Sequence, residues 1–216
     1  MSILEEFLRF AAHLFWPRAC PFCGALGESA CVLCLLRRLE PPMPMQLEGL
    51  SLWSGGEHDG VLRELVLALK YGGDRPLGVA MGRALGRVFP RPEADLLVPV
   101  PLHRGSERAY NQSLALAEGV AKEWKLPTGE GLVWSERRRE QTSLGREERK
   151  KLPRDVFSPV PGSVEGKRIV LVDDVATTGS TLERAAETVR RGGGVPVLAL
   201  SWTCSPRTKE RVCSVR

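Results

Sequence analysis

The sequence lacks the long apolar run and the export signal that would place a chain in or across a membrane. No apolar run approaches the roughly 18 residues that a membrane-spanning helix requires. Acidic Glu5 and Glu6 stand where an export signal carries basic residues, and no small-residue cleavage site follows them. We therefore expect a cytoplasmic protein without a membrane span, in which the six cysteines stay reduced.

Internal repeats and low-complexity tracts are also absent from the 216 residues. Hydrophobic residues make up 43% of the chain, which suits a globular protein rather than a disordered one. The length is enough for one well-buried domain, or for one domain with a small appendage. The formal net charge of +5 favours anionic ligands such as phosphates or nucleic acid, without choosing between them.

The larger part of the chain alternates between strand and helix patterns. Helical spacing predicts helices over 59–89, 111–124 and 181–190, the first with a turn at 72–74, and apolar runs predict strands over 96–100, 132–134, 169–172 and 195–202. Such alternation implies βαβ units and a parallel sheet covered on both faces. We therefore predict an α/β fold whose ligands bind beyond the carboxyl ends of the strands.

The N-terminal part of the chain has a different character. Apolar residues at helical spacing over 1–16 predict an amphipathic helix that docks on its own protein. Four clustered cysteines follow, and Pro41, Pro42 and Pro44 then interrupt regular structure. We predict a small N-terminal module over 1–45 and a larger α/β domain over 46–216.

Four of the cysteines are spaced as C-x2-C-x7-C-x2-C: Cys20, Cys23, Cys31 and Cys34. Each C-x2-C turn aims two thiolates at one point, and two such turns supply the tetrahedral sulfur ligands that Zn²⁺ prefers. With all four positions filled, the site is expected to be structural rather than catalytic. Two disulfides or a redox pair are the alternatives, and a reducing compartment argues against both. Cys204 and Cys213 lack ligand spacing, and we expect them to be buried as small apolar residues.

The segment 169–181 places two acids and a small-residue loop directly after an apolar strand. Backbone N–H groups of the loop and of the following helix would point at one spot, where the helix dipole favours an anion. Gly179 would let the backbone approach that anion closely. Asp173 and Asp174 suit sugar hydroxyls or a divalent cation rather than the phosphate itself. The alternative is a turn without a nucleotide role, in which the acids cap the helix.

This segment resembles the phosphoribosyl pyrophosphate (PRPP) motif of type I phosphoribosyltransferases. The resemblance implies that Asp173 and Asp174 hold the ribose hydroxyls. It also implies that a loop holds the 5-phosphate, with the residues Ala176, Thr177, Thr178, Gly179, Ser180 and Thr181. Members that use 6-oxopurines carry an acid at the position of Thr177, so this threonine argues against such a substrate.

A second resemblance covers the chain from about residue 16 to 202 and is to the ComF family. It is carried by the paired C-x2-C motifs and by the segments 69–74, 98–104, 108–112 and 141–157, which occur in the family's order. Members of that family are linked to DNA uptake during natural competence. Leu152 and Arg138 depart from the residues usual at their positions.

The resemblance implies a pyrophosphate loop after the strand at 96–100, with Leu102, His103, Arg104 and Arg108. Mg²⁺ and basic side chains would stabilise the charge that grows on the leaving pyrophosphate. A basic stretch could form a lid over it, including Arg138, Arg139, Arg146 and Arg149. That stretch could equally be a solvated loop, or a track for single-stranded DNA with Trp134 stacking on bases.

Two further residues have open roles. Lys70 is either a surface residue at a helix end or a ligand-binding residue, and Trp202 either fills the core or covers an acceptor base.

Three functions therefore remain open from the sequence. The first is transfer of a phosphoribosyl group to an unidentified nitrogen acceptor, with catalytic Asp173, Asp174 and Arg104. The second is a protein that handles single-stranded DNA without turnover, and the third is a PRPP-sensing regulator. A homodimer is compatible with each of them. Ser2 stands where a glutaminase domain would need a cysteine, so we expect no glutamine-dependent activity.

Overall fold

The computed structural model describes residues 19–27, 29–102, 110–135 and 155–205. Within them, the strands are β1 (Met45–Leu47), β2 (Leu50–Ser54), β3 (Leu96–Pro99), β4 (Leu132–Trp134), β5 (Phe157–Pro159), β6 (Arg168–Ala176) and β7 (Val195–Cys204). The helices are α1 (Val32–Leu36), α2 (Gly60–Tyr71), α3 (Arg75–Val88), α4 (Gln112–Trp124) and α5 (Ser180–Arg191). Each described helix is 14 residues or shorter, and none combines the length and apolar character needed to cross a bilayer.

A five-stranded sheet in the order β1-β2-β7-β6-β3 forms the centre of the fold. Neighbouring strands run parallel except in the β1–β2 hairpin, which is antiparallel. Strands β3 and β6 carry unbroken apolar runs because both faces of this part of the sheet are covered. The predicted α/β fold with a mostly parallel sheet is therefore confirmed.

Alternate residues of the central strands enter two separate hydrophobic cores. Val170 and Val172 of β6 pack in one cluster with residues from α1 to α4, whereas Ile169 and Leu171 pack in the other with residues of α5. This division follows from the period of two along a strand. It places α5 on the opposite face of the sheet from α2, α3 and α4.

Two differences from the predicted elements concern the sheet. The strand predicted over 132–134 pairs with β5 in a separate two-stranded antiparallel sheet. The β1–β2 hairpin, which follows the three prolines, was not predicted and extends the main sheet. Short strands of three to five residues leave little local signal, and β2 joins the main sheet only by pairing with β7, which is distant in the chain.

Helices α3 and α4 cross at close range because glycines face each other at the crossing. A Cβ atom added at Gly82 would collide with the carbonyl oxygen of Leu116, and one at Gly119 would collide with that of Val79. The close crossing fixes the start of α4, which reaches the carboxyl edge of the sheet.

The described part of the cysteine segment packs directly on the α/β core. Val32, Leu35 and Leu39 lie in the same hydrophobic cluster as Leu85 of α3 and Trp202 of β7. Helix α1 and helix α3 are in extensive contact as a result. The amphipathic helix predicted over 1–16 lies outside the described residues.

Candidate functional site

The acidic pair lies near the carboxyl end of β6 and is almost completely buried. Asp173 and Asp174 are 9% and 8% exposed. They do not terminate the strand as the sequence predicted. Pairing with β7 continues to Ala176, opposite Cys204, because β7 itself runs two residues beyond Trp202. The acids therefore lie within a strand that pairs with β7 before and after Asp174, rather than in a turn.

The carboxylate of Asp173 is anchored through one of its oxygens. Its Oδ1 atom accepts hydrogen bonds from the Ser113 hydroxyl at 3.0 Å and from the backbone N–H of Asp174 at 2.9 Å. Burial raises the pKa of Asp173 to about 7, and the negative charge of Asp174 adds to the rise. Asp173 is therefore poised between its neutral and ionised forms near neutral pH.

The carboxylate of Asp174 faces a lysine from another helix. Its Oδ2 atom lies 2.9 Å from Nζ of Lys70, in the last turn of α2, and the side chains are 12% and 19% exposed. Close by, Nδ1 of His58 lies 2.8 Å from Oγ1 of Thr203. Burial lowers the pKa of His58, and the positive charges of Lys70 and Arg63 lower it further. His58 is therefore favoured as a neutral side chain.

The loop after β6 turns directly into α5 through a glycine. Gly179 has φ 76°, in the left-handed region, and stands immediately before the first residue of α5. Thr178 Oγ1 lies 2.6 Å from Ser180 Oγ. Among the described residues, the backbone N–H groups of Thr178 and Gly179 donate to no backbone carbonyl. These donors and the N-terminus of α5 form a concave set that suits an anion.

Gly179 is also required by a close contact with β1 that the sequence did not predict. A Cβ atom at this position would lie 2.5 Å from a methyl carbon of Leu47 in β1. The β1–β2 hairpin therefore packs against the loop. Arg190 of α5 also donates a hydrogen bond to the carbonyl of Gly49, between β1 and β2, at 2.8 Å.

The structure brings together the acids and the loop, but it describes little of the predicted pyrophosphate loop and lid. Leu102 is half-buried at the end of the described segment. The other predicted residues lie outside the described part of the chain: His103, Arg104, Arg108, Arg138, Arg139, Arg146 and Arg149. Their roles stay predictions.

The two tryptophans considered for base contacts are both engaged in packing. Trp202 is fully buried and its Nε1 donates to the carbonyl of Leu62 at 3.2 Å, which confirms the interpretation as a core residue. Trp134 packs on Phe157, and its Nε1 donates to the carbonyl of Pro101 at 3.1 Å. Its ring thus anchors the chain just before Leu102.

Sequence reasoning missed several side chains at this edge. Ser113 and His58 were not predicted, and Tyr110 lies in the segment 108–112 without a predicted role. The Tyr110 hydroxyl donates to the carbonyl of Leu69 at 2.9 Å, and burial raises its pKa to about 12. A signal existed for Ser113, because a helix that starts just after a parallel strand begins at the ligand-binding edge. No local pattern pointed to His58.

The four clustered cysteines come together in the structure. Their Sγ atoms all lie within 4.8 Å of one another, and those of Cys23 and Cys31 are 3.6 Å apart. A tetrahedral ion with metal–sulfur bonds of about 2.3 Å separates its sulfur ligands by about 3.8 Å. The backbone N–H of Cys31 donates to Sγ of Cys20 at 3.3 Å. This donor set fits a metal ion.

The electrostatics of the cluster also favour a bound cation. Burial raises the pKa of the Cys20 thiol, but backbone donors at Cys31, Phe22 and Cys23 outweigh it and lower that pKa to about 6. The pKa of Cys31 is raised to about 12, first by its contact with Cys23 and then by burial. A cation bound between these sulfur atoms would therefore favour the thiolate form of Cys31 beside Cys20.

Comparisons with known proteins match the part of the chain that carries the acidic pair and the loop. Residues 111–199 match the family described as "Phosphoribosyl transferase domain". The chain is 30% identical to the DNA utilization protein YhgH of Salmonella typhi over 194 residues, which cover 82% of this chain and 80% of that protein.

Two further relatives are matched over shorter stretches. The chain is 29% identical to competence protein ComFC of Bacillus subtilis over 63% of its own length and 56% of the relative's. It is 34% identical to an amidophosphoribosyltransferase of Methanothermobacter thermautotrophicus over 58% of its own length and 24% of the relative's. The chain thus spans about half of the first relative and about a quarter of the second.

Proposed function

Since the chain belongs to the ComF family, as its similarity to YhgH shows, we propose that it binds PRPP at the carboxyl edge of its sheet. The observation that carries this proposal is the pair Asp173 and Asp174, buried beside a loop that turns through Gly179 into α5. Such a site offers acceptors for two sugar hydroxyls and donors for a phosphate. A ribose 5-phosphate unit carries hydroxyls that suit the acids and a 5-phosphate that suits the loop.

The proposed reaction is transfer of the phosphoribosyl group to a nitrogen acceptor, with release of pyrophosphate. Asp173 and Asp174 orient the ribose and stabilise positive charge that develops on the sugar ring. The loop Ala176–Thr181 anchors the 5-phosphate. Mg²⁺ bound with PRPP supplies charge neutralisation on the leaving pyrophosphate. Arg104 and the basic residues of 138–149 complete the site in this proposal.

Calorimetric titration with PRPP and Mg²⁺ tests the binding step. The variant carrying D173N and D174N is expected to lose measurable binding, because neutral amides accept sugar hydroxyls less well than carboxylates do. D95N is a matched control, since Asp95 is an acid paired with Arg168 at the opposite edge of the sheet. Equal affinities of the double variant and the wild type would refute the proposed site.

Pyrophosphate release tests the chemical step. The protein is incubated with PRPP, Mg²⁺ and a panel of nucleobases and ammonia. Release above the no-acceptor background identifies the acceptor class, and D173N should suppress it. Tight PRPP binding without release for any acceptor would argue for a binding or sensing role instead.

The names of two relatives favour a second function, the handling of single-stranded DNA. YhgH is a DNA utilization protein and ComFC is a competence protein. The basic stretch around Arg137–Arg139 would supply phosphate contacts, so affinity for an oligonucleotide should fall steeply with salt. Replacing those three arginines by glutamine should flatten the salt dependence. An unchanged slope would remove the basic stretch as the DNA contact.

We also propose that the cysteine cluster holds a structural Zn²⁺ ion. Cys20, Cys23, Cys31 and Cys34 are the ligands, and the boundary between the N-terminal module and the larger domain falls at residue 45. A cytoplasmic location and a homodimer complete the proposal. Metal analysis of reduced protein should find one zinc per chain, and C31S should lower that content, whereas C213S should not.

A further inference from the structure

The last turn of α2 contacts the acidic pair, and the proposed function assigns no role to this contact. Lys70 reaches from this turn to the acidic pair, with Nζ 2.9 Å from Oδ2 of Asp174. We propose that Lys70 is a positioning residue of the PRPP site, which holds the Asp174 carboxylate in the orientation that accepts a ribose hydroxyl. This inference rests on the proposed function.

The need for a cation follows from the burial of two adjacent acids. Asp173 is fixed by Ser113 and by the backbone N–H of Asp174, so its position does not depend on Lys70. Within the described residues, the Asp174 carboxylate forms a salt bridge with Lys70 and with no other side chain. Two negative carboxylates held this close in a poorly solvated site repel each other, and a neighbouring cation reduces that repulsion.

The nearby side chain of His58 does not supply that charge. His58 lies close enough for Asp174 to affect its pKa, yet burial lowers that pKa first, and Lys70 and Arg63 lower it further. A neutral imidazole leaves the charge balance to Lys70. The mostly buried pair of Lys70 and Asp174 is also protected from screening by salt.

The lysine is held in place by contacts on both sides of it in the chain. On one side, the Tyr110 hydroxyl donates to the carbonyl of Leu69 at 2.9 Å. On the other side, the Ser29 hydroxyl donates to Oδ1 of Asp74 at 2.9 Å, and the same oxygen caps α3 through Leu77 N. The backbone on either side of Lys70 is thus tied to the start of α4 and to the cysteine segment.

A lysine that merely stabilised the fold would behave differently from a positioning residue. Its removal would lower the melting temperature, but the folded protein would bind PRPP as before. A positioning lysine instead sets the affinity of the folded protein, and its effect disappears once Asp174 has lost its charge. The two roles therefore separate in a double-mutant cycle between Lys70 and Asp174.

The experiment titrates PRPP with Mg²⁺ into full-length wild type, K70M, K70R, D174N and K70M/D174N, with melting temperature and metal content measured on each. We expect K70M to weaken PRPP binding by at least about tenfold, and K70R to recover all but about threefold of the wild-type affinity. In the D174N background, K70M should change the affinity by less than about twofold. R63M is the matched control, because Arg63 is an exposed cation on the same helix.

The outcomes are distinguishable. Wild-type PRPP affinity in folded K70M would overturn the role of Lys70. Equal weakening by K70M with and without D174N would overturn it as well. In both cases the D173N/D174N variant still tests the proposed site independently. Absence of PRPP binding by the wild type overturns the proposed function and the role of Lys70 together. If K70M does not fold, K70Q takes its place, since it keeps a hydrogen-bond donor but removes the charge.

Discussion

Asp173 places an acidic side chain where little water reaches it. Burial raises its pKa to about 7 from the ordinary value of 3.8. Since the folded pKa lies above the unfolded one, the stability contributed by this group is complete below pH 3.8 and is lost as the pH rises through about 7. The loss is at most about 1.4 kcal/mol per pH unit between the two values.

Replacing Asp173 by asparagine should remove this pH dependence. Asparagine keeps an oxygen that can accept from Ser113 and from the backbone N–H of Asp174. We expect D173N to gain free energy of unfolding relative to wild type as the pH is raised from 5 to 8. Urea unfolding of ligand-free protein at several pH values measures the difference, and D95N is the control. A difference that stays constant over this range would contradict the raised pKa.

Gly179 combines two structural demands, and they can be separated by mutation. Its φ of 76° costs a substituted alanine about 1 kcal/mol or more, and the added Cβ also meets Leu47. We expect G179A to lower the free energy of unfolding more in wild type than in an L47A background, by about 1 kcal/mol. Denaturant unfolding of the four proteins measures the coupling. Equal costs in both backgrounds would mean that Leu47 moves aside freely.

At the scale of elements, the sequence predicts those whose signal is local. The buried run of β6, the helical period of α4 and the break at 72–74 between α2 and α3 are each visible within about a dozen residues. The β1–β2 hairpin and the separate β4–β5 pair are not, because short strands acquire their state from distant partners. The continuation of β6 through the acids likewise depends on β7.

The candidate site shows the same limit. The acids and the loop stand at fixed spacings within one segment, and the four cysteines within another, so sequence patterns predict both sets. Lys70, Ser113 and His58 come from three other elements, and only the folded sheet brings Lys70 and Ser113 to the acids. The expectation that the strand ends at the acids was wrong for the same reason, because the pairing of β6 with β7 leaves no local signal in the sequence. Polarity marks a strand end only when no partner strand continues.

The crossing of α3 and α4 offers a prediction at this scale. An alanine at Gly82 meets the backbone oxygen of Leu116, which moves only if the helices separate, whereas one at Gly86 first meets the side chain of Glu123. We expect G82A to cost at least about 2 kcal/mol of unfolding free energy despite its better helix propensity, and G86A to cost clearly less. Chemical denaturation ranks the two variants. A reversed order would show that the helix spacing is looser than described.

At the scale of the whole molecule, the described cysteine segment packs against the α/β domain and is not structurally independent of it. Val32, Leu35 and Leu39 share a hydrophobic cluster with Trp202, and Ser29 binds the cap of α3. Loss of a metal ion would free these residues as well as the cysteines. Asp74, which Ser29 contacts, lies just after the end of α2. We therefore expect a change in the cysteine cluster to affect the edge of the sheet where PRPP is proposed to bind.

Removal of the proposed zinc ion should therefore destabilise the entire chain rather than release a separate module. Binding of structural zinc contributes folding free energy directly, because the unfolded chain does not hold the four thiolates together. We expect C31S, and wild type treated with a strong chelator, to unfold at lower temperature in one cooperative transition, while C213S melts like the untreated protein. Circular dichroism reports on secondary structure and fluorescence on the surroundings of the five tryptophans, and the two should give the same midpoint. Two separated transitions, with the upper one unchanged by the chelator, would show instead that the α/β domain keeps its stability without the cysteine segment.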